Sequence, residues 1–484
     1  MACITELVEI VGEENVAEDV SVLQSYAKDH SFVKGVMPQC VVKANNLEHL
    51  QAIIRWAGQK SMPLIPVSSG EPHFRGDTVP SLGGVILDLS GMDKIIRIDR
   101  RNRVAMIEPG VTFAQLEPEL RKEGLKLPMP LYPRSSKSVA CSFLEREPIT
   151  IPKYHLDMSE PMLCTEVTFG TGDVLRTGEA AGPGSIEEQW KFGKAQTWDK
   201  GPGQLGFTRL IQGCQGGMGI ITWATVRCEV LPQIHELLLI PAQRIESLID
   251  FVYQALKFRL GDECLLLNDL DLASLLANGI EVSALRDKLS PWTLLLGIAG
   301  YDIFPEERVK YQKEDIMDVA HRFGLSPVAA LPGVNPKEVL RVLTKPCPEP
   351  YWKLGFKGDC YDTFFLTTLD KTPVFIDVMH RMCDAHQYPL SQLGIYIQPI
   401  QRGESCHCEF NLMYDPTDEK ELANVRKLAL SASEALVKEG AFFSRPYGHW
   451  AEMVYNRDAG TKEAVRKLKA IFDPYDILNP GKLC

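Results

Sequence analysis

No stretch of this 484-residue chain approaches the ~20 consecutive apolar residues of a bilayer-spanning helix. There is no Cys-x-x-Cys pair among the 13 scattered cysteines, which removes the spacing that zinc and iron–sulfur sites use. The closest pair, Cys406 and Cys408, falls in a strand-like run where both side chains share one face, so they read as structural thiols. An excess of basic residues is missing as well. The net charge is −11, which argues against a nucleic-acid surface and against a cationic face for anionic lipid. The first residues are acidic and amphipathic and lack the basic-then-apolar order of a signal peptide. Repeats and low-complexity tracts are absent. What is there, 45% hydrophobic and 24% charged residues, is the composition of a soluble globular protein, with the cytoplasm as the expected compartment. The length implies two domains.

Strand and helix signals alternate through the first part. Gln39-Cys-Val-Val-Lys43 reads as a strand and Met62-Pro-Leu-Ile-Pro-Val67 as a buried strand, with an Asn46-capped helix of 3.6 periodicity between them. Gly84-Val-Ile-Leu-Asp-Leu89 and Val104-Ala-Met-Ile-Glu-Pro-Gly110 continue the sheet. Near Pro232 the texture changes. A second series of strands and amphipathic helices runs to about 440, and the final segment reads as a return to the first domain. The expected division is 1–232, 233–440 and 441–484.

Four motifs carry chemistry. Ser68-Ser69-Gly70 with Gly76 follows an apolar strand, where small residues let main-chain N–H groups approach a diphosphate. Glu108-Pro109-Gly110 begins a second turn. Gly213, Gly216, Gly217 and Gly219 precede the apolar Ile220-Ile221-Thr222, a main chain able to lie against a planar ring or a phosphate. Asn479-Pro-Gly-Lys482 closes the chain. Each alone is compatible with an ordinary turn.

In this order, and across nearly the full length, the four motifs resemble the vanillyl-alcohol oxidase and para-cresol methylhydroxylase (PCMH) family of flavoenzymes. The resemblance implies an α+β fold: a two-subdomain PCMH-type FAD-binding domain with an inserted α+β, ferredoxin-like cap. It implies FAD held by Pro66, Ser68, Ser69, Gly70, His73, Gly76, Pro109, Gly110, the glycine run, Ile220, Ile221, Asn479 and Lys482. Relatives that tether flavin through the cap place a His or Tyr before a Phe-Phe-like strand. Here Asp362-Thr363 precedes Phe364-Phe365, so non-covalent FAD is expected, with His73 the one nearby nucleophile.

The family's second glycine loop, which supplies a carboxylate near the flavin, corresponds to Cys141-Ser-Phe-Leu-Glu-Arg-Glu147. Arg146 is retained, Glu145 stands as the carboxylate and the glycines are gone. Glu145 is a candidate base, with a solvated loop glutamate as the alternative. Phenol-oxidising relatives hold a phenolate with one Arg and two Tyr. Arg445 matches the Arg, while Ser444 and Arg75 stand where the tyrosines would be, and Tyr447 offers a substitute donor. Two guanidiniums suit a carboxylate as well as a phenolate. His407 and His449 are candidate bases or orienting groups. His407 and Glu409 share a strand face, but the paired histidine that a metal would need is missing, so no metal is expected.

The implied activity is hydride removal from an activated C–H or alcohol carbon of a hydroxylated aromatic or a 2-hydroxy acid. Electrons would pass to a separate protein or small-molecule acceptor. A homodimer is compatible with the family. The rival reading is a degenerate paralogue that binds FAD weakly, or not at all, and serves as a binding or assembly subunit.

Overall fold

The computed structural model describes residues 2–154 and 160–483. Its first sheet has the order Val16–Ala17, Cys40–Lys43, Val85–Asp88, Leu64–Val67, and the last three strands are parallel. Helix Leu47–Lys60 crosses over it. Asn46 Oδ1 caps the helix by accepting from His49 N at 2.8 Å, and Leu50, Ile53, Ile54 and Ala57 form the buried stripe. The C-terminal segment lies along the outer edge of Leu64–Val67: Leu64 N donates to Ile477 O at 2.7 Å, and Asn479 N donates to Leu64 O at 2.8 Å.

The second sheet is antiparallel, in the order Ile95–Asp99, Val104–Ile107, Ile220–Arg227, Met162–Thr168, Val174–Arg176. Strand alternation lets one segment serve both cores. Ile220 packs with Leu64, Ile54 and Ile477 in the first subdomain, whereas Ile221 packs with Ile107, Phe113 and Val167 in the second. Burying two such side chains contributes roughly 4 kcal/mol of transfer free energy across the junction.

Residues from Ile234 onward build a six-stranded antiparallel sheet, ordered Ile234–Ala242, Trp292–Gly300, Cys264–Asn268, Leu393–Ile400, Ser405–Tyr414, Asp359–Thr367. Cys406 and Cys408 do share a face and point into the apolar cluster of this domain. The return to the first domain comes later than 441 in packing terms. Phe443, Tyr447 and Trp450 still belong to the cap's cluster beside Phe364. Helix Ala459–Phe472 is the element that docks back, with Phe472 stacked on Phe169 at 4.8 Å.

Candidate active site

The loop after Leu64–Val67 leaves the carboxyl end of the parallel strands, where open sheets form their ligand crevices. It has no ladder partner, so other elements must satisfy its backbone. Gly70 N donates to Ser136 O at 2.9 Å, and Arg134 Nη1 donates to Gly70 O at 2.8 Å. Gly76 N donates to Asp29 Oδ2 at 2.6 Å. Lys482 Nζ donates to the carbonyls of Gly76 and Val79 at 2.7 and 2.6 Å. Asn479 Nδ2 donates to Asp77 O at 2.8 Å and Gln215 O at 2.7 Å. Asn479 and Lys482 thus brace the loop from behind rather than line the crevice, a correction to the direct contact expected of them.

Ser138 joins the remaining turns into the same wall. Its Oγ donates to Pro109 O at 2.6 Å and accepts from Cys141 N at 3.0 Å, while its N–H donates to Ser69 Oγ at 3.1 Å. Gly110 supports this wall from within: its N–H donates to Met92 O at 2.7 Å. Gly70, Gly76, Gly110 and Gly217 are therefore structural here, packed on neighbouring chain rather than facing the crevice.

The crevice has two chambers, with about 1000 Å³ and about 710 Å³ of empty space. Pro66, Ser68, Asp77, Cys141 and Glu145 line both, so the two chambers adjoin. The chamber away from the cap is walled by Pro109, Gly213, Gly216, Gly219, Ile220 and Ile221. Gly213 has φ +72°, and a Cβ there would meet no heavy atom within 4 Å. That stretch is bare main chain facing open space, a surface for a flat or phosphorylated ligand. Gly216 instead permits close approach to Pro66, whose Cγ would lie 2.4 Å from an added Cβ.

Where the chambers meet, side chains replace the family's glycines. Helix Val139–Leu144 carries Cys141 into the crevice, and Cys141 Sγ donates to Glu145 Oε1 at 3.0 Å. Lys137 Nζ pairs with Glu145 Oε2 at 2.8 Å and Glu147 Oε1 at 2.7 Å. Burial would raise the Glu147 carboxyl, but Lys137 and Arg75 hold it well below the usual range. Asp77 lacks such compensation. Burial, helped by Glu145 and Asp29, pushes it up to about 7. Glu145 does sit in the crevice, but as an ion-paired carboxylate rather than a free base.

The cap-facing chamber takes its chemistry from strand register. Asp359–Thr367 and Ser405–Tyr414 pair so that Asp362 opposes Asn411, Phe364 opposes Glu409 and Leu366 opposes His407. Period-2 alternation sets His407, Glu409 and Asn411 on one face. Arg75 and Arg445 both stack on Phe364, at 4.4 and 4.2 Å from its centroid. Arg75 Nη1 donates to Asp362 Oδ2 at 3.0 Å; burial opposes its charge, but Asp362 and Glu409 outweigh that and keep it cationic. Arg445 is different. It is 7% exposed, none of the ion pairs among the described residues includes it, and Nη1 has no hydrogen-bond partner. Burial, with Arg75 nearby, lowers its proton affinity.

His407 Nε2 lies 3.0 Å from Glu409 Oε2, and burial keeps the imidazole below its ordinary value despite Glu409. His73 lines the same chamber and is also neutral, pushed down to about 4 by burial and by Arg134. Tyr447 reaches the glycine-walled chamber, with burial raising its phenol well above normal. His449 is not brought in. It lines a side recess behind the Arg75–Asp362 pair, with Nε2 3.3 Å from Ser433 Oγ. Sequence reading overlooked Lys353, Lys137, Glu147 and Asp77. No motif marks Lys353, Lys137 or Asp77, and Glu147 closes the second-loop motif without a role assigned to it, although Glu409 two residues after His407 was a signal that an acid shares this face.

The comparisons with known proteins follow this geometry. Residues 38–140 match the FAD binding domain model, and residues 401–483 match the FAD linked oxidases C-terminal domain model. p-Cresol methylhydroxylase with substrate bound superposes at a TM-score of 0.83 and 19% identity, over 99% of this chain and 96% of that one. The chain has the PCMH-type fold and carries both domains of FAD-linked oxidases. Among its relatives, D-2-hydroxyglutarate dehydrogenase of Stutzerimonas stutzeri is 24% identical, over 100% of this chain and 98% of its own length. The mitochondrial D-lactate dehydrogenase [cytochrome] of Arabidopsis thaliana is 21% identical, over 97% and 78%.

The chain has room and surface for its cofactor: two adjoining chambers, a main-chain wall at Gly213, and Arg134 on the lining to offset phosphate charge. Bound FAD supplies a two-electron acceptor for hydride. The protein's own contributions are an unpaired guanidinium, a neutral imidazole and a space enclosed by the cap. Among the described residues no helix is long and apolar enough to cross a membrane.

Proposed function

We propose that this FAD-linked oxidoreductase oxidises the carbinol carbon of a small 2-hydroxy acid, with the carboxylate held by Arg445 and the hydroxyl proton taken by His407. The observation that carries the reading is the buried Arg445 with an unmatched Nη1 on the crevice that His407 also lines. A buried cation without a counter-ion is costly, and an arriving carboxylate relieves it through two parallel N–H···O bonds. Arg75, already neutralised by Asp362, adds a second positive edge across Phe364. The full-length relatives named for D-2-hydroxyglutarate and D-lactate support the same class. FAD is held non-covalently in this reading, since Asp362-Thr363 stands where tethering relatives carry a His or Tyr. A separate protein or small molecule then takes the electrons. The eleven free cysteines among the described residues fit a reducing compartment such as the cytoplasm.

One observation favours a phenolic substrate instead: Tyr351 and Tyr396 line the chamber beside Arg445, in a fold matching p-cresol methylhydroxylase. Anaerobic bleaching of the bound flavin by D-lactate, D-2-hydroxyglutarate, glycolate and 4-cresol decides between them. A hydroxy acid is expected to bleach it and 4-cresol to leave it yellow. Bleaching by 4-cresol alone overturns the hydroxy-acid reading, and folded protein that takes up no added FAD overturns both.

A further inference from the structure

The proposed reaction leaves one buried ammonium unused. Lys353, on the turn Trp352–Leu354, is 4% exposed and lines the cap-facing chamber. Its Nζ donates to Glu409 Oε1 at 2.5 Å and Asn411 Oδ1 at 3.1 Å, and forms an ion pair with Asp362 Oδ2 at 2.7 Å. Asn411 Nδ2 donates to Asp271 Oδ2 at 2.8 Å, which fixes the amide so that its oxygen faces Lys353. The ammonium is therefore enclosed by three oxygens on two paired strands, two of them hydrogen-bonded to it and the third ion-paired. Each carboxylate also serves a second group: Asp362 Oδ2 accepts from Arg75, and Glu409 Oε2 meets His407 Nε2.

We infer that Lys353 is a positioning residue for the site's base: by holding Glu409 as an anion, it keeps the His407 proton on Nε2 and leaves Nδ1 free to accept a proton from substrate. An ionised carboxylate can only accept, so the imidazole must present Nε2–H to it. The charged groups facing His407 are Glu409, Lys353 and Arg445; burial and the two cations disfavour imidazolium, while Glu409 favours it. The rings of Phe364 and Tyr396 lie against its other sides, at 5.8 and 5.5 Å. The ring stays neutral, and its tautomer is set two residues away. Through Asp362 the same ammonium fixes the Arg75 guanidinium over Phe364. Without it, two buried carboxylates lose their shared cation, and Glu409 takes up a proton from solvent. As a neutral acid Glu409 donates to Nε2, and the imidazole proton moves to Nδ1, where it blocks the base.

The role as base rests on the proposed function, but the proton's position does not, and ¹⁵N NMR of protein labelled at histidine reads it without substrate. His407 is assigned by its loss in His407→Gln. Wild type is expected to show a protonated Nε2 and a bare Nδ1, with the two exchanged in Lys353→Met and retained in Lys353→Arg. If Lys353→Met fails to fold, the isosteric Glu409→Gln, whose amide can donate to Nε2, is expected to exchange them too. A wild-type Nδ1–H, or a folded Lys353→Met with the wild-type pattern, overturns the inference. Where a hydroxy acid bleaches the flavin, Lys353→Met is expected to cut kcat roughly 100-fold with KM changed less than threefold. The expected tautomer without any bleaching sinks the hydroxy-acid reading and leaves this one standing.

Discussion

The two ends of the crevice are built by opposite means. The end walled by Gly213, Gly216, Gly219 and Ile220-Ile221 presents main chain and apolar surface, and no charged side chain except Asp77 and Glu145 where it meets its neighbour. The cap-facing end presents Arg75, Lys353, Asp362, His407, Glu409 and Arg445, with almost every polar atom matched. Main chain recognises what every member of a cofactor family shares, and tolerates little change because a Cβ fills the space. Side chains recognise what differs between substrates, and can be exchanged one at a time.

Breaking the side-chain end is expected to have the largest effect. Arg445→Met should lower kcat/KM for an anionic substrate on the order of 10³-fold, the scale of a lost buried charge-assisted pair. Its melting temperature should hold or rise, because an uncompensated buried charge is removed. A melting temperature that falls together with activity would show that Arg445 is a structural cation instead.

The main-chain end breaks differently. Gly213→Val is expected to reduce FAD retention about 100-fold, since a branched side chain at φ +72° occupies the open wall. The strain itself costs about 1–2 kcal/mol, measurable on the apoprotein. Flavin content after gel filtration, alongside apoprotein melting, separates the two effects.

Between the ends, Asp77 sharpens the contrast through pH. Its folded-state value of about 7 lies above the 3.8 of an unperturbed aspartate. The folded state therefore binds this proton more tightly, so Asp77 destabilises the fold above pH 7, and the penalty fades as pH falls toward 4. Asp77→Asn is expected to be more stable than wild type by about 2 kcal/mol at pH 8, allowing for partial exposure, and equal to it near pH 4. Urea melts at the two pH values test this. His449→Ala should have the smallest functional effect: activity within twofold of wild type, with a stability loss of about 1 kcal/mol from the Ser433 contact and its packing. A tenfold loss of turnover would bring the side recess into the active site.

Much of the fold was legible because local chemistry repeats there. The Asn46 cap, the Leu50–Ala57 stripe and the alternation of His407 and Glu409 are read over a few residues, and the structure keeps them. The glycine loops were legible as a set. What each glycine does was not: Gly213 faces the crevice, while Gly217 packs against Leu483. Asn479 and Lys482 were recognisable as a motif, yet their contacts are loop carbonyls hundreds of residues away. Lys353 carried no local sign at all, since its three oxygen partners come from two strands outside its own turn.

The sequence by itself determined the strand and helix signals and the four ordered motifs, whose resemblance to a flavoenzyme family implied a flavin fold with a cap, because such motifs and periodicities are properties of short segments. Only the tertiary structure decided which charges are matched and which one is left over. That depends on low-dielectric burial and on register between strands, so Arg75 becomes one half of an ion pair while Arg445, identical in sequence terms, remains open to an anion.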